Sequence, residues 1–146
     1  MKRIFLFASL CATILLSNCK KDADPTPQEL LIGKWNVTKF ITLGSNAISE
    51  NATTKVSAVL EFKEGGVVTF TFTNTDKTAT PPKDFSNTVT NSYSWNGDTE
   101  LTLSAKSGAD MVSVTGPATV SATSLVFTAT SGDTDKFLES IEATKQ

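Results

Sequence analysis

The side chains of this chain that could do chemistry are few, and the missing types narrow the possibilities first. There is no histidine, the usual general base near neutral pH, so Ser-His-Asp and Cys-His triads are excluded. The two thiols are Cys11, inside an apolar run, and Cys19 at its end. Neither a Cys/His zinc site nor a disulfide within the stretch after Cys19 can be built from them. Asp98 and Glu100 stand two apart, on one face of a strand if both belong to it. A carboxylate pair can hydrolyse glycosides, but a hairpin rim solvated by acids is the favoured account of the spacing. Asp133-Thr134-Asp135 offers oxygens to Ca²⁺, which needs six or more, and a turn also explains it. Ser and Thr are abundant as β-formers on a wet face rather than as nucleophiles, and no Gly-rich phosphate loop occurs. The expectation is a protein that is not an enzyme and holds no metal or cofactor.

The aromatic residues carry the remaining possibility. Phe62, Phe70, Phe72, Tyr93, Trp95 and Phe127 each fall on the apolar side of an alternating segment. They could line a calyx for a small apolar ligand, or fill the interior of a small barrel. Asn91 shares that side and would orient a ligand or sit at the barrel mouth.

The elements that position these residues read mostly as strands. Thr26-Pro27-Gln28-Glu29 has the cap, the first-position proline and the Glu of a capping box, so one short helical turn is expected before Gly33. From Lys34 the period becomes two, with Trp35, Val37, Ile41 and Leu43 on one face and Phe40 stranded among Asn36, Thr38 and Thr42. Residues 44–54 read as a polar loop. Val56, Ala58, Leu60 and Phe62 alternate, Glu64-Gly65-Gly66 turns, and Val68, Phe70 and Phe72 alternate with threonines. Residues 74–86 read as a second polar loop. Val89, Asn91, Tyr93 and Trp95 precede an Asn96-Gly97 hairpin and then Leu101 and Leu103. Val112 and Val114 mark another strand, Gly116-Pro117 a bend or bulge, and Leu125 and Phe127 the next strand. Phe137, Ile141 and Ala143 fit a last strand, with a C-terminal helix as the alternative. About eight short strands in succession indicate an all-β antiparallel barrel or sandwich.

The chain of 146 residues has room for one domain, and its net charge of −2 lacks the basic stripe of a nucleic-acid binder. Lys2-Arg3 precedes an apolar run from Ile4 to Leu16, too short to span a bilayer comfortably. A membrane anchor or a buried helix are the plain readings of that run. Leu16-Ser17-Asn18-Cys19, however, resembles the lipobox of bacterial lipoproteins. The resemblance implies a signal peptide at 1–18, cleavage before Cys19, and a diacylglyceryl group on the Cys19 thiol with further acylation of the new amine. Two or three acyl chains hold a protein firmly on a membrane, at about 0.8 kcal/mol per buried methylene. Removing 1–18 leaves 128 residues with 11 lysines against 15 acids, a charge of −4 and no arginine. Residues 19–28 then form a lipidated tether, with Lys20-Lys21-Asp22-Ala23-Asp24 similar to surface-export signals and also readable as plain solvated chain.

The short turn followed by Gly33-Lys34-Trp35 resembles the G-x-W start of lipocalins. Leu60 to Gly66, Tyr93 to Asp98 with Leu101-Thr102-Leu103, and Ser124 to Thr128 resemble recurring segments of bacterial lipocalin-like lipoproteins. The resemblance implies that residues 29–146 form an up-and-down barrel, closed at one end by the turn, with Trp35 packed inside. Lipocalins often stack an arginine on this tryptophan; here Lys136 or Lys145 would substitute, or the end would be apolar. The functional expectation is a lipoprotein held at Cys19 on the bacterial outer membrane, on its periplasmic or surface side, binding a small apolar ligand. The alternative is a filled barrel that serves the envelope as a structural or protein-interaction module.

Overall fold

Thr26 caps the first element through both halves of the expected box. Its Oγ1 accepts from Glu29 N at 3.3 Å, and its own N–H donates to Glu29 Oε2 at 2.7 Å. The computed structural model describes residues 24–133 and 137–146. Helix α1 (Pro27–Leu31) starts with Pro27 at its first position, so the turn draws in two residues of the expected 19–28 tether. Gly33, at φ 124°, swings the chain from this turn into the first strand.

The strands are β1 (Gly33–Thr42), β2 (Ser45–Asn46), β3 (Ser49–Glu50), β4 (Thr54–Lys63), β5 (Val67–Asp76), β6 (Lys83–Asn96), β7 (Glu100–Ser107), β8 (Asp110–Val120), β9 (Ser124–Thr128), β10 (Ser131–Gly132) and β11 (Ser140–Lys145). The long ones pair antiparallel with their neighbours in the order β1-β4-β5-β6-β7-β8-β9-β11, and β11 pairs back to β1. The result is a closed eight-stranded antiparallel up-and-down barrel with one short helix, which decides between the barrel and the sandwich that the alternation left open. The pairs β2, β3 and β10 are two-residue additions on β1, β4 and β8. Residues 140–145 form a strand, not a helix.

The departures from simple alternation have local causes. In β1 the register against β11 shifts between Val37 and Lys39, leaving Thr38 as an extra residue whose hydroxyl donates to Glu142 O at 3.0 Å. The bulge flips the face of everything after it. Phe40 therefore enters the core, Ile41 is only half-buried, and Leu43, expected inward, is 71% exposed in a turn at φ 50°. The expected loop at 44–54 contains β2 and β3, and Ala47 and Ile48 between them pack on the core. The expected loop at 74–86 is mostly strand: β5 runs to Asp76, β6 starts at Lys83, and the two pair without a shift from Val67↔Ser92 to Asp76↔Lys83. At Gly116 a Cβ would lie 1.9 Å from Thr128 O, so only glycine allows that approach. The register of the facing chain slips by one residue there, between Ala118↔Phe127 and Thr115↔Ser131.

Candidate functional site

The inward residues of the closed ring are packed against one another. Trp35, Leu60, Phe62, Val68, Phe70, Leu101, Leu103, Leu125, Phe127 and Ile141 have essentially no accessible surface. A side chain without accessible surface borders neither solvent nor a water-sized void. Phe62, Phe70 and Phe127, three of the candidate ligand-lining residues, belong to this packed set. Phe40 stands edge-on to Phe70 and to Phe72, with centroids 6.0 and 5.3 Å apart, and Phe62 stands edge-on to Tyr93 at 5.2 Å. The other candidates, Phe72, Asn91, Tyr93 and Trp95, are half-buried on β5 and β6. Tyr93 donates its hydroxyl to Lys63 O at 2.9 Å, while Trp95 Nε1 is buried with no hydrogen-bond partner.

One end of the barrel is sealed by α1. Trp35 Nε1 donates to Leu31 O at 2.7 Å. Lys145 Nζ lies 5.1 Å from the centre of the Trp35 ring and donates to Leu30 O at 2.6 Å. Lys145 thus makes the cation–π contact for which sequence reading offered Lys136 or Lys145; Lys136 lies outside the described residues. Gln28 Nε2 ties the helix to the β6–β7 hairpin through Gly97 O at 2.9 Å.

The other end is uneven. Strand β6 has 14 residues, but only Ser92–Asn96 pair with β7. Lys83–Asn91 pair with β5 alone, so β4, β5 and β6 form a wall that continues past the closed ring. Phe85 and Val89 point from this wall to the same side as Tyr93 and Trp95, and they stay 55% and 42% exposed. The opposite face carries hydroxyl pairs, Thr71 with Thr88 and Thr73 with Ser86, each at 2.9 Å, and Thr75 donating to Asp84 at 2.6 Å. Sequence reading missed this wall because it took residues 74–86 for a loop. The signal was there: Thr73 and Thr75 continue the alternation of β5, and Phe85 and Val89 continue the odd-numbered face of β6 backwards from Tyr93.

Comparison with family models, with curated proteins and with solved structures gives no match.

The electrostatics are those of turns and rims. Asp98 accepts from Gln28 at 3.3 Å and Glu100 from Asn96 at 2.9 Å, so both acids of the spaced pair are engaged at the hairpin by the sealed end. Asp133 Oδ2 accepts from Ser113 N at 3.1 Å; Thr134 and Asp135 lie outside the described residues. Among the described residues no three acids or cysteines gather as a metal site, and no helix is long and apolar enough to cross a membrane. Glu50 is held below the usual carboxylate range by its hydrogen bond to Lys77 and by the charge of Lys55. Burial, with the nearby charge of Glu64, pushes the Tyr93 phenol up. A surface cleft of about 410 Å³ opens where β1 and β4 separate, beside Ile48, Glu50 and Lys55, and none of the candidate aromatics lines it. Cys19, with the whole of the expected signal peptide 1–18, lies outside the described residues.

Proposed function

We propose that this protein is a lipid-anchored interaction module of the bacterial cell envelope: a lipocalin-like barrel, tethered through acylated Cys19, that engages another protein chain through the β4–β5–β6 wall. The observation that carries this reading is the wall itself. It joins an unpaired strand edge to exposed Phe85 and Val89, beside a ring whose inward side chains are already packed. An exposed apolar pair next to unpaired backbone is a template on which another strand can add. The described chain enters through Thr26 at the sealed end, away from the wall.

The test is a photo-crosslinking amino acid placed at Phe85 in the full chain expressed in its cell envelope, with Thr119, on the outer face of β8, as the control position. A discrete adduct from position 85 and none from 119 is expected. Equal labelling at both positions, or none at either, rejects the reading. The anchor is checked separately: Cys19→Ser abolishes incorporation of labelled palmitate and releases the protein from the membrane fraction.

A second reading is favoured by Trp95, whose buried Nε1 has no acceptor. An unsatisfied buried donor costs about 1–3 kcal/mol, so a small apolar molecule carrying one acceptor would gain by lodging against Trp95. Native mass spectrometry of the purified chain decides it. A co-purifying small molecule lost in Trp95→Phe supports this reading, and a chain of bare mass throughout removes it.

A further inference from the structure

We infer that the partner of the β6 edge is a second copy of this chain, paired antiparallel about a two-fold axis at Asn87. The inference rests on the reading of the wall as an interaction surface and names its occupant.

The backbone defines which groups are free. Tyr93 N donates to Gly66 O across β5 and β6, which places the odd residues of β6 in hydrogen-bonded pairs with β5. The N–H and C=O groups of the even residues Asp84, Ser86, Thr88 and Thr90 therefore point to the other edge, where β7 pairs only from Ser92 onward. Natural sheets blunt such edges with lysine, proline or a bulge. From Asp84 to Asn91 this edge has no lysine and no proline, its register against β5 is unbroken, and Lys83 at its start holds its ammonium 5.1 Å from the centre of the Phe85 ring. Hydroxyl pairs tie its outer face to β5.

The residue order is self-complementary about Asn87. A two-fold axis there sets Ser86 opposite Thr88 of the second copy and Asp84 opposite Thr90, each as a hydrogen-bonded pair. It sets Phe85 opposite Val89, twice, as close non-hydrogen-bonded pairs on the apolar face. Lys83 then faces Asn91, so no like charges meet. The same register consumes the whole free stretch and covers both exposed apolar side chains of the wall. A single contact thus removes the unpaired edge and the exposed Phe85 and Val89 together. The sealed ends point away from one another in this arrangement.

The experiment uses the full chain in detergent. Two Asn87 residues would face each other across a non-hydrogen-bonded pair, within disulfide reach, so oxidised Asn87→Cys protein is expected to give covalent dimer about tenfold above Thr119→Cys. Thr88→Pro removes an edge donor while leaving the ladder to β5 intact, so it should convert dimer to monomer in sedimentation velocity with unchanged near-ultraviolet circular dichroism. If that variant does not fold, the double change Phe85→Glu, Val89→Glu places acids opposite acids across the axis and gives the same readout. A monomeric wild type, a dimer that survives these changes, or no excess disulfide at position 87 overturns the inference. The crosslink at Phe85 separates the two claims. An adduct of twice the chain mass supports both, an adduct with a different protein keeps the interaction surface and refutes the second copy, and no adduct refutes both.

Discussion

Lys145 does three things with one side chain. Its stem lies 3.3 Å from where a Cβ on Gly33 would be, its ammonium sits over the Trp35 ring, and it donates to the Leu30 carbonyl that the short helix leaves unpaired. The charge belongs at that place because a helix C-terminus presents free carbonyls, and α1 has no basic residue in its own last turn. Lys145→Met keeps most of the stem and loses the ammonium. It is expected to cost about 1–3 kcal/mol by denaturant unfolding, with a red shift of tryptophan emission as Trp35 becomes less sealed. No loss of stability would mean that the seal is apolar.

At the scale of elements, α1 depends on its cap because five residues cannot hold a helix by propensity. Thr26→Ala should cost about 1 kcal/mol in thermal unfolding. The cap also has a pH signature. Glu29 is held below the usual carboxylate range, first by the Thr26 backbone N–H and then by the Thr26 hydroxyl. A depressed carboxylate stabilises the fold above its unfolded pKa of about 4.3, and that contribution is lost as pH falls through the lower folded value. Thr26→Ala keeps the backbone bond and loses the hydroxyl one, so its stability should fall less steeply below pH 4.3 than that of the wild type. A parallel acid limb would show that the box does not form in solution. The bulge at Thr38 and the glycine at 116 act at the same scale. Each changes the parity or the spacing of a strand, and so decides which residues face the core.

The whole molecule divides into a packed ring and a wall that outgrows it. The division predicts opposite outcomes for two phenylalanines of similar sequence context. Phe70→Ala empties a site among Phe40, Val68 and Leu60, and should cost about 3–5 kcal/mol. Phe85→Ser removes a side chain that is exposed in the single chain, and should leave the stability of the monomer, measured at dilution below dimer formation, within about 0.5 kcal/mol. Chemical denaturation of the two variants measures both. A tolerant Phe70 would point to a hollow ring, and a costly Phe85 would place that side chain against a covering element.

Much of this architecture was legible in the residues themselves, since period-two alternation, Glu64-Gly65-Gly66, Asn96-Gly97 and the capping box act over two to five residues of chain. They sufficed for an all-β succession of about eight strands, for a capped turn ahead of Trp35, and for the inward side of Phe62, Phe70, Leu101, Leu103 and Phe127. The absence of histidine and the lone thiol after the apolar run likewise needed no fold to be read. What the tertiary structure alone decided were properties of pairing between distant strands. The Thr38 bulge exists because β1 must meet β11, and it sends Phe40 inward against the local alternation. Lys145 reaches Trp35 only because the barrel closes and brings the last strand beside the first. Residues 83–86 look like polar loop in isolation, since nothing there is buried on either face. Only the long hairpin with β5, and the early departure of β7, make them a strand with an unpaired edge. Backbone hydrogen bonding sets that edge, and the side chains that sequence patterns record do not report which backbone groups are left without a partner.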